Sequence, residues 1–338
     1  MSCVANVAIH PSQFPDQVRQ DLLSSFRTRR INHKFHYDSI KQTQKWLALH
    51  QAYSPSRTDP ECFRIYEAGF AAAAVRVATS RVHLIGLGCG GGQKDARLLQ
   101  HLKDAGKEAS YTPSDVSVAM VLVAREAALA VVADARCFPL VCDLATANDL
   151  GEVLDRQAAP DAARLVTFFG MIPNFEPAII LPKLAGLVRP DDLLLFSANL
   201  SPGSDYAAGM GKILPLYDNE LTSDWLIAVL LDAGIEREDG SLNFQIEADP
   251  AGGPLRRIAA YFSFQRQREI EIEGERFKFE PGERLQLFFS YRHTPGLVKG
   301  MLGAYALEVI DQWTTKSAEE GVFLCRRSSA TQHVRAVS

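Results

Sequence analysis

The chain reads as a doubly wound α/β fold, a parallel sheet with helices packed on both faces. Three observations predict it. Apolar strand-like runs alternate with helix-period runs between about residues 61 and 202. A turn with five glycines, "GLGCGGG" at 86–92, joins the first of those strands to a helix. After Leu200 the rhythm breaks, and the apolar period falls to two over 256–280.

Taken in order, the first sixty residues are expected to be mostly helical, with polar loops around "FHYDSI" and "AYSPSRTDPE". "RVHLIGLG" (81–88) is a buried strand and "KDARLLQHLKDAG" (94–106) its helix, closed by Gly106. "EASYTPSD" (108–115) is the second strand, followed by a helix over 116–132. "RCFPLVCDL" (136–144) is a third strand that Pro139 marks as an edge or a bulge. "ARLVTFFG" (163–170) is the fourth; a helix over 178–188 and a Pro-Asp-Asp turn lead to the fifth, 191–200. Further on, 215–235 reads as helical, 256–280 as a β-hairpin around "EGE", and 284–293 as a strand. A helix and two strands complete the chain. The expected organisation is a core of 61–202 and 294–338, with a cap of 1–60 and 203–293 over its carboxyl edge, where ligands bind in such sheets.

The 338 residues are 47% hydrophobic and 22% charged, enough to bury one large core or two smaller ones. A formal charge of −4 argues against a nucleic-acid groove or a polybasic membrane surface. No apolar run is long enough to span a bilayer, and "MSCVANVAIHPSQF" lacks the layout of a secretory signal, so a cytoplasmic location is expected. Six cysteines, at 3, 62, 89, 137, 142 and 325, show no CxxC and no histidine at ligand spacing, so no metal is expected. Cys137 and Cys142 read as small buried hydrophobes.

Gly86-x-Gly88-x-x-Gly91 satisfies a dinucleotide fingerprint, because backbone without side chains approaches a ligand closely and a helix N-terminus favours negative charge. Asp115, at the end of the second strand, can accept hydrogen bonds from both ribose hydroxyls in dehydrogenases and in S-adenosylmethionine enzymes alike. The breadth of the turn favours S-adenosylmethionine over NAD. So does Asp143 in "VCDLA", a partner for the adenine amino group with Leu144 against the ring. A helix N-cap is the bland alternative for Asp143.

In order along the chain stand "KFHYDS", "AYSPSRTDPE", "GLGCGGGQK", "YTPSDVS", "VTFFGMIPNFEP", "LAGLVRPDDLLLFSANL", "LPLYDN" and "PGERLQLFFSYRH". Together they resemble the histidine-specific Nα-methyltransferases of ergothioneine biosynthesis and the related dimethylallyltryptophan N-methyltransferases, over roughly residues 34–326. The resemblance implies a Rossmann-like class I methyltransferase core that binds S-adenosylmethionine, under a two-part cap that closes over a small-molecule amine. By position, Gly88, Gly90 and the rest of their loop would border the methionyl part of the cofactor, with Lys94 near its carboxylate. Asp115 would take the ribose, and Asp143 with Leu144 the adenine. Asn174 and Tyr217 would hold the substrate carboxylate, Tyr37 would stand near the amine as the catalytic residue, and Tyr53 and Ser290 near the substrate side chain.

Two departures from the pattern carry information. Gly86 stands where the family has an acidic residue, which removes a carboxylate near the cofactor's charged end. Phe288 stands where the histidine enzymes have the glutamate that reads the imidazole, and Ala260 where they have a bulkier methionine. An aromatic ring cannot accept the imidazole proton, so histidine is disfavoured and a roomier, apolar pocket is expected. The leading expectation is therefore an S-adenosylmethionine-dependent N-methyltransferase acting on the α-amine of an amino acid or similar molecule. The alternatives are a histidine Nα-methyltransferase, an O- or C-methyltransferase of a natural-product pathway, an NAD-binding oxidoreductase and a non-catalytic binding module.

Overall fold

The computed structural model describes residues 4–54 and 58–328. Cys3, three residues of the "AYSPSRTDPE" loop and the 329–338 end of the expected core lie outside the described residues. The strands are β1 (Ala8–Ile9), β2 (Arg81–Leu87), β3 (Glu108–Asp115), β4 (Leu140–Val141), β5 (Ala163–Phe168), β6 (Leu193–Asn199), β7 (Gly240–Ala248), β8 (Arg256–Phe264), β9 (Arg268–Ile272), β10 (Glu275–Phe279), β11 (Arg284–Arg292), β12 (Leu307–Thr314) and β13 (Glu320–Arg327). Eight of them form the main sheet in the order β1-β4-β3-β2-β5-β6-β13-β12. The run from β1 to β6 is parallel, while β13 is antiparallel to both β6 and β12.

Helices α1 (Pro15–Arg27), α2 (Ile40–Tyr53), α3 (Pro60–Arg76), α4 (Gln93–Asp104), α5 (Val118–Ala128), α6 (Leu150–Gln157), α7 (Pro177–Leu187), α8 (Tyr206–Ile213), α9 (Glu220–Asp232) and α10 (Pro295–Ala304) complete the regular structure. On one face of the sheet, Leu84, Leu165 and Leu195 pack with α3 and α4; on the other, Ile85, Val166 and Phe196 pack with α6, α7 and α10. Burial on both faces is why these strands read as continuous apolar runs. Each such side chain contributes roughly 1.5–3 kcal/mol on burial.

The third expected strand shrinks to two residues. Pro139 has no N–H to give the ladder and interrupts it: Phe138 N–H bonds to Tyr111 O (2.8 Å) before it, the strand pairing resumes at Leu140, and the Pro139 carbonyl accepts from Ala8 N–H at 2.9 Å. Strand β4 is not the edge: β1 pairs outside it, so part of the first sixty residues belongs to the main sheet.

The expected hairpin over 256–280 is corrected as well. Only β9 and β10 pair with each other there. Strand β8 instead lies between β11 and β7 in a separate antiparallel sheet. A third core joins Phe26, Ile31 and Phe35 near the N-terminus to Trp225, Phe262, Phe279 and Leu287. Among the described residues no helix is long and apolar enough to cross a membrane.

Candidate active site

Strands β2 to β5 are parallel, so their carboxyl ends open on one edge, and the strand order reverses beside β2. A cavity of about 1070 Å³ lies there. The loop after β2 turns through left-handed conformations at Gly88 (φ 61°), Gly90 (φ 51°) and Gly92 (φ 73°), which residues with a Cβ rarely adopt. Cys89 N–H bonds to Ser114 O (2.9 Å) and pins that loop to the end of β3. Gly90 N–H and Ser117 N–H donate to the two oxygens of Asp115, at 3.2 and 3.1 Å. Burial raises the Asp115 carboxyl to about 6 against these backbone bonds, which lower it.

Past the end of β4, Asp143 accepts from Ala145 N–H through Oδ1 (2.9 Å), a local turn rather than a helix N-cap. Its buried Oδ2 has no hydrogen-bond partner, and the Lys34 ammonium is 3.9 Å away. Leu144 lines the same wall. Lys94 donates to Tyr66 Oη (2.9 Å), whose hydroxyl bonds to Glu320 Oε1 (2.6 Å), and its ammonium lies 4.0 Å from the centre of the Tyr66 ring.

The opposite wall comes from elsewhere in the chain. Trp225 Nε1 bonds to His36 O (2.8 Å) and His36 Nε2 to Leu287 O (2.7 Å), so the turn His33–His36 is fastened to α9 and β11. Tyr37, the next residue, is thereby held on the cavity wall. Its hydroxyl is kept protonated well above the usual tyrosine range, first by burial and then by the nearby Asp115 and Tyr217. Asn174 ends a short turn after β5, and its Nδ2 donates to Phe289 O (2.8 Å) on β11.

Eight of the expected residues thus line one cavity: Gly88, Gly90, Lys94, Asp115, Asp143, Leu144, Tyr37 and Asn174. Four do not. Tyr53 is 54% exposed at the end of α2. Tyr217, Phe288 and Ser290 lie behind the wall, where Tyr217 Oη donates to Ser290 Oγ (2.8 Å) and accepts from Arg292 (2.9 Å). Phe288 packs on Trp225 and His33, at ring distances of 5.4 and 5.2 Å. Its direct cross-strand neighbour is Ala260. The space released by the small residue is therefore taken by the large ring, and the roomier pocket expected at this point is absent.

Sequence reasoning missed Trp46, His33, Phe169, Phe289 and Asp95, which also line the cavity. The ring nitrogens of His33 are buried without partners, and burial drives its pKa to about 3, so it is neutral. Among the described residues no group of three His, Cys, Asp or Glu side chains is placed to hold a metal ion.

The family described as histidine-specific, SAM-dependent methyltransferases matches residues 14–221, more than half of the sequence. The chain belongs to that family. It is accordingly a methyltransferase, and its cofactor is S-adenosylmethionine. The part of this family member that carries β7 to β11, with Phe288 and Ser290, lies beyond the matched segment.

No curated protein matches the chain. Similar solved structures include the magnesium protoporphyrin IX methyltransferase ChlM from Synechocystis PCC 6803 with bound SAH (14% identity, 93% of this chain and 100% of that one, TM-score 0.42). Another is the 1,6-didemethyltoxoflavin-N1-methyltransferase from Burkholderia thailandensis (12% identity, 96% and 93%, TM-score 0.40).

The residues present fit the cofactor of this methyltransferase. A glycine loop leaves its backbone bare where a Cβ on Gly90 would stand 3.2 Å from Trp46, and the partnerless Asp143 Oδ2 is an acceptor suited to an amino group. In its expected place at the ribose, Asp115 must be ionised to accept both hydroxyls, so with its carboxyl at about 6 the affinity for S-adenosylhomocysteine should fall as the pH drops. This carboxyl alone would account for about a tenfold loss between pH 7 and pH 5, read by calorimetry as the part of the pH dependence that Asp115→Asn removes. An affinity flat over that range would remove Asp115 from the cofactor's partners.

Proposed function

We propose that the protein transfers a methyl group to the α-amine of an amino acid, or of a similar small molecule, whose side chain is apolar or aromatic. The observation that carries this reading is the single cavity that joins the glycine loop, Asp115 and Asp143 to Tyr37 and Asn174. In this reading the first three hold the cofactor, the last two face the amine, and the segments 15–53 and 203–293 act together as the cap, β1 belonging to the main sheet. The bound cofactor supplies an electrophilic methyl group.

The remaining chemistry belongs to the chain. An ammonium has no lone pair, so the substrate must lose a proton before it can react. Aromatic walls at Tyr37, Trp46, Phe169 and Phe289 exclude water and lower the amine pKa, because a charge is costly to desolvate. Tyr37 remains a phenol at neutral pH, so its part is to orient the nitrogen by a hydrogen bond rather than to take the proton as a phenolate. The Asn174 amide, half committed to Phe289 O, keeps a second N–H for a substrate carboxylate. Histidine is disfavoured because Phe288 fills the position of the imidazole reader and points into an apolar core.

Turnover of a panel of amines, followed by mass spectrometry with fragmentation, tests the reading. Aromatic amino acids of the tryptophan type are expected to outpace histidine, with the added mass on the amine nitrogen. A tenfold or greater preference for histidine would overturn the specificity argument, and label on oxygen or carbon would overturn the reaction class.

A further inference from the structure

The resemblance implies an acidic residue at position 86, where this chain has glycine, but the space such a side chain would point into is filled. A Cβ on Gly86 would overlap Asp95 Oδ2 and stand 3.0 Å from Tyr111 Oη. Asp95 lies in the first turn of α4, is 3% exposed and lines the cavity. We propose that Asp95 delivers, from the helix, the negative charge that relatives deliver from the strand, and that it faces the ammonium of the cofactor's methionyl end. The inference rests on the reading that the cofactor occupies this cavity, and it assigns a role to a residue that the family pattern does not single out.

Three observations support it. In its present orientation the Asp95 carboxylate takes the space that a Cβ at position 86 would need, so Gly86 and Asp95 form one exchange: the strand gives up its side chain and the helix provides the acid. The carboxylate is also held in a fixed direction. Tyr111 Oη donates to Oδ2 (2.7 Å) and Thr167 Oγ1 to Oδ1 (2.8 Å), one hydroxyl per oxygen, which leaves each oxygen capacity for a further donor. Burial pushes its pKa to about 6, and a cation beside it would bring that value back down.

The third observation is placement. The sheet order β4-β3-β2-β5 sets Asp143, Asp115 and Asp95 in a row past the ends of β4 and β3 and over β2. That succession matches a molecule laid down as base, ribose and amino-acid tail. Glu320, the other buried acid of this wall, stands farther along, on β13, and is engaged by Tyr66.

Calorimetry with two probes tests the assignment: S-adenosylhomocysteine, which carries the ammonium, and 5′-methylthioadenosine, the same nucleoside thioether without the amino-acid tail. Asp95→Asn should weaken the first on the order of tenfold to a hundredfold, the loss of a charge-assisted contact, and leave the second within about twofold. The exchange variant Gly86→Asp/Asp95→Ala should bind S-adenosylhomocysteine at least about tenfold more tightly than Asp95→Ala. Equal losses for both probes, or none for either, would overturn the proposal. A loss for S-adenosylmethionine alone would place the acid beside the sulfonium and overturn it too. Unchanged S-adenosylhomocysteine binding by Asp115→Ala, a residue of the same cavity, would instead remove the cavity assignment, and the proposal with it.

Discussion

Replacing Asp115 by alanine is expected to raise the dissociation constant for S-adenosylhomocysteine by about 10²–10⁴-fold, measured by calorimetry at pH 8. At that pH the carboxyl, at about 6, is ionised. Each ribose hydroxyl donating to a carboxylate is worth about 1.5–3 kcal/mol, and two are lost together. The loop is affected as well, because Gly90 N–H and Ser117 N–H lose their acceptor. Asp115→Asn separates these effects. It keeps an acceptor but not the charge, and its loss is expected near tenfold. An alanine variant within threefold of the parent would mean that the ribose binds elsewhere.

The contrast between the two walls of the cavity explains what could be read from the sequence. The proposed cofactor side was legible because its residues sit at the ends of parallel strands, and each of those strands announces itself locally. A buried apolar run, a turn and a helix-period segment are enough to place Asp115 and Asp143 on one edge. Family membership then decides between S-adenosylmethionine and NAD, which the glycine pattern alone left open.

The proposed substrate side depends instead on register between strands far apart in the chain. Whether Phe288 faces the cavity or the core is decided by its pairing with Ala260, by the irregularity between Gln286 and Phe288, and by Trp225 on α9. None of these is a local signal. Ser290 shares the face of Phe288, as alternation requires, and so shares its removal from the lining, while Phe289 on the other face meets the cavity. Strands β1 and β7 escaped for a different reason. The first has two residues, and the second is an edge strand of intermediate burial without a clean apolar alternation.

Gly92 offers the largest expected effect on stability. It precedes the first residue of α4 at φ 73°, and a Cβ there would lie 2.5 Å from Ala124 Cα and 2.7 Å from Ala124 Cβ on α5. A methyl group meets helix backbone that cannot rotate away, so Gly92→Ala adds overpacking to the cost of a left-handed alanine. Together these come to about 2–5 kcal/mol. At about 2–4 °C per kcal/mol, melting is expected to fall by roughly 4–20 °C. Gly106 supplies an internal comparison, since it has the same φ of 73° but nothing within 4 Å of its would-be Cβ. Gly106→Ala therefore bears only the conformational term, about 1–2 kcal/mol, and its melting shift should be about a quarter to two thirds as large. Equal shifts for the two variants would mean that backbone conformation alone requires Gly92, and that the close packing of α4 on α5 adds nothing.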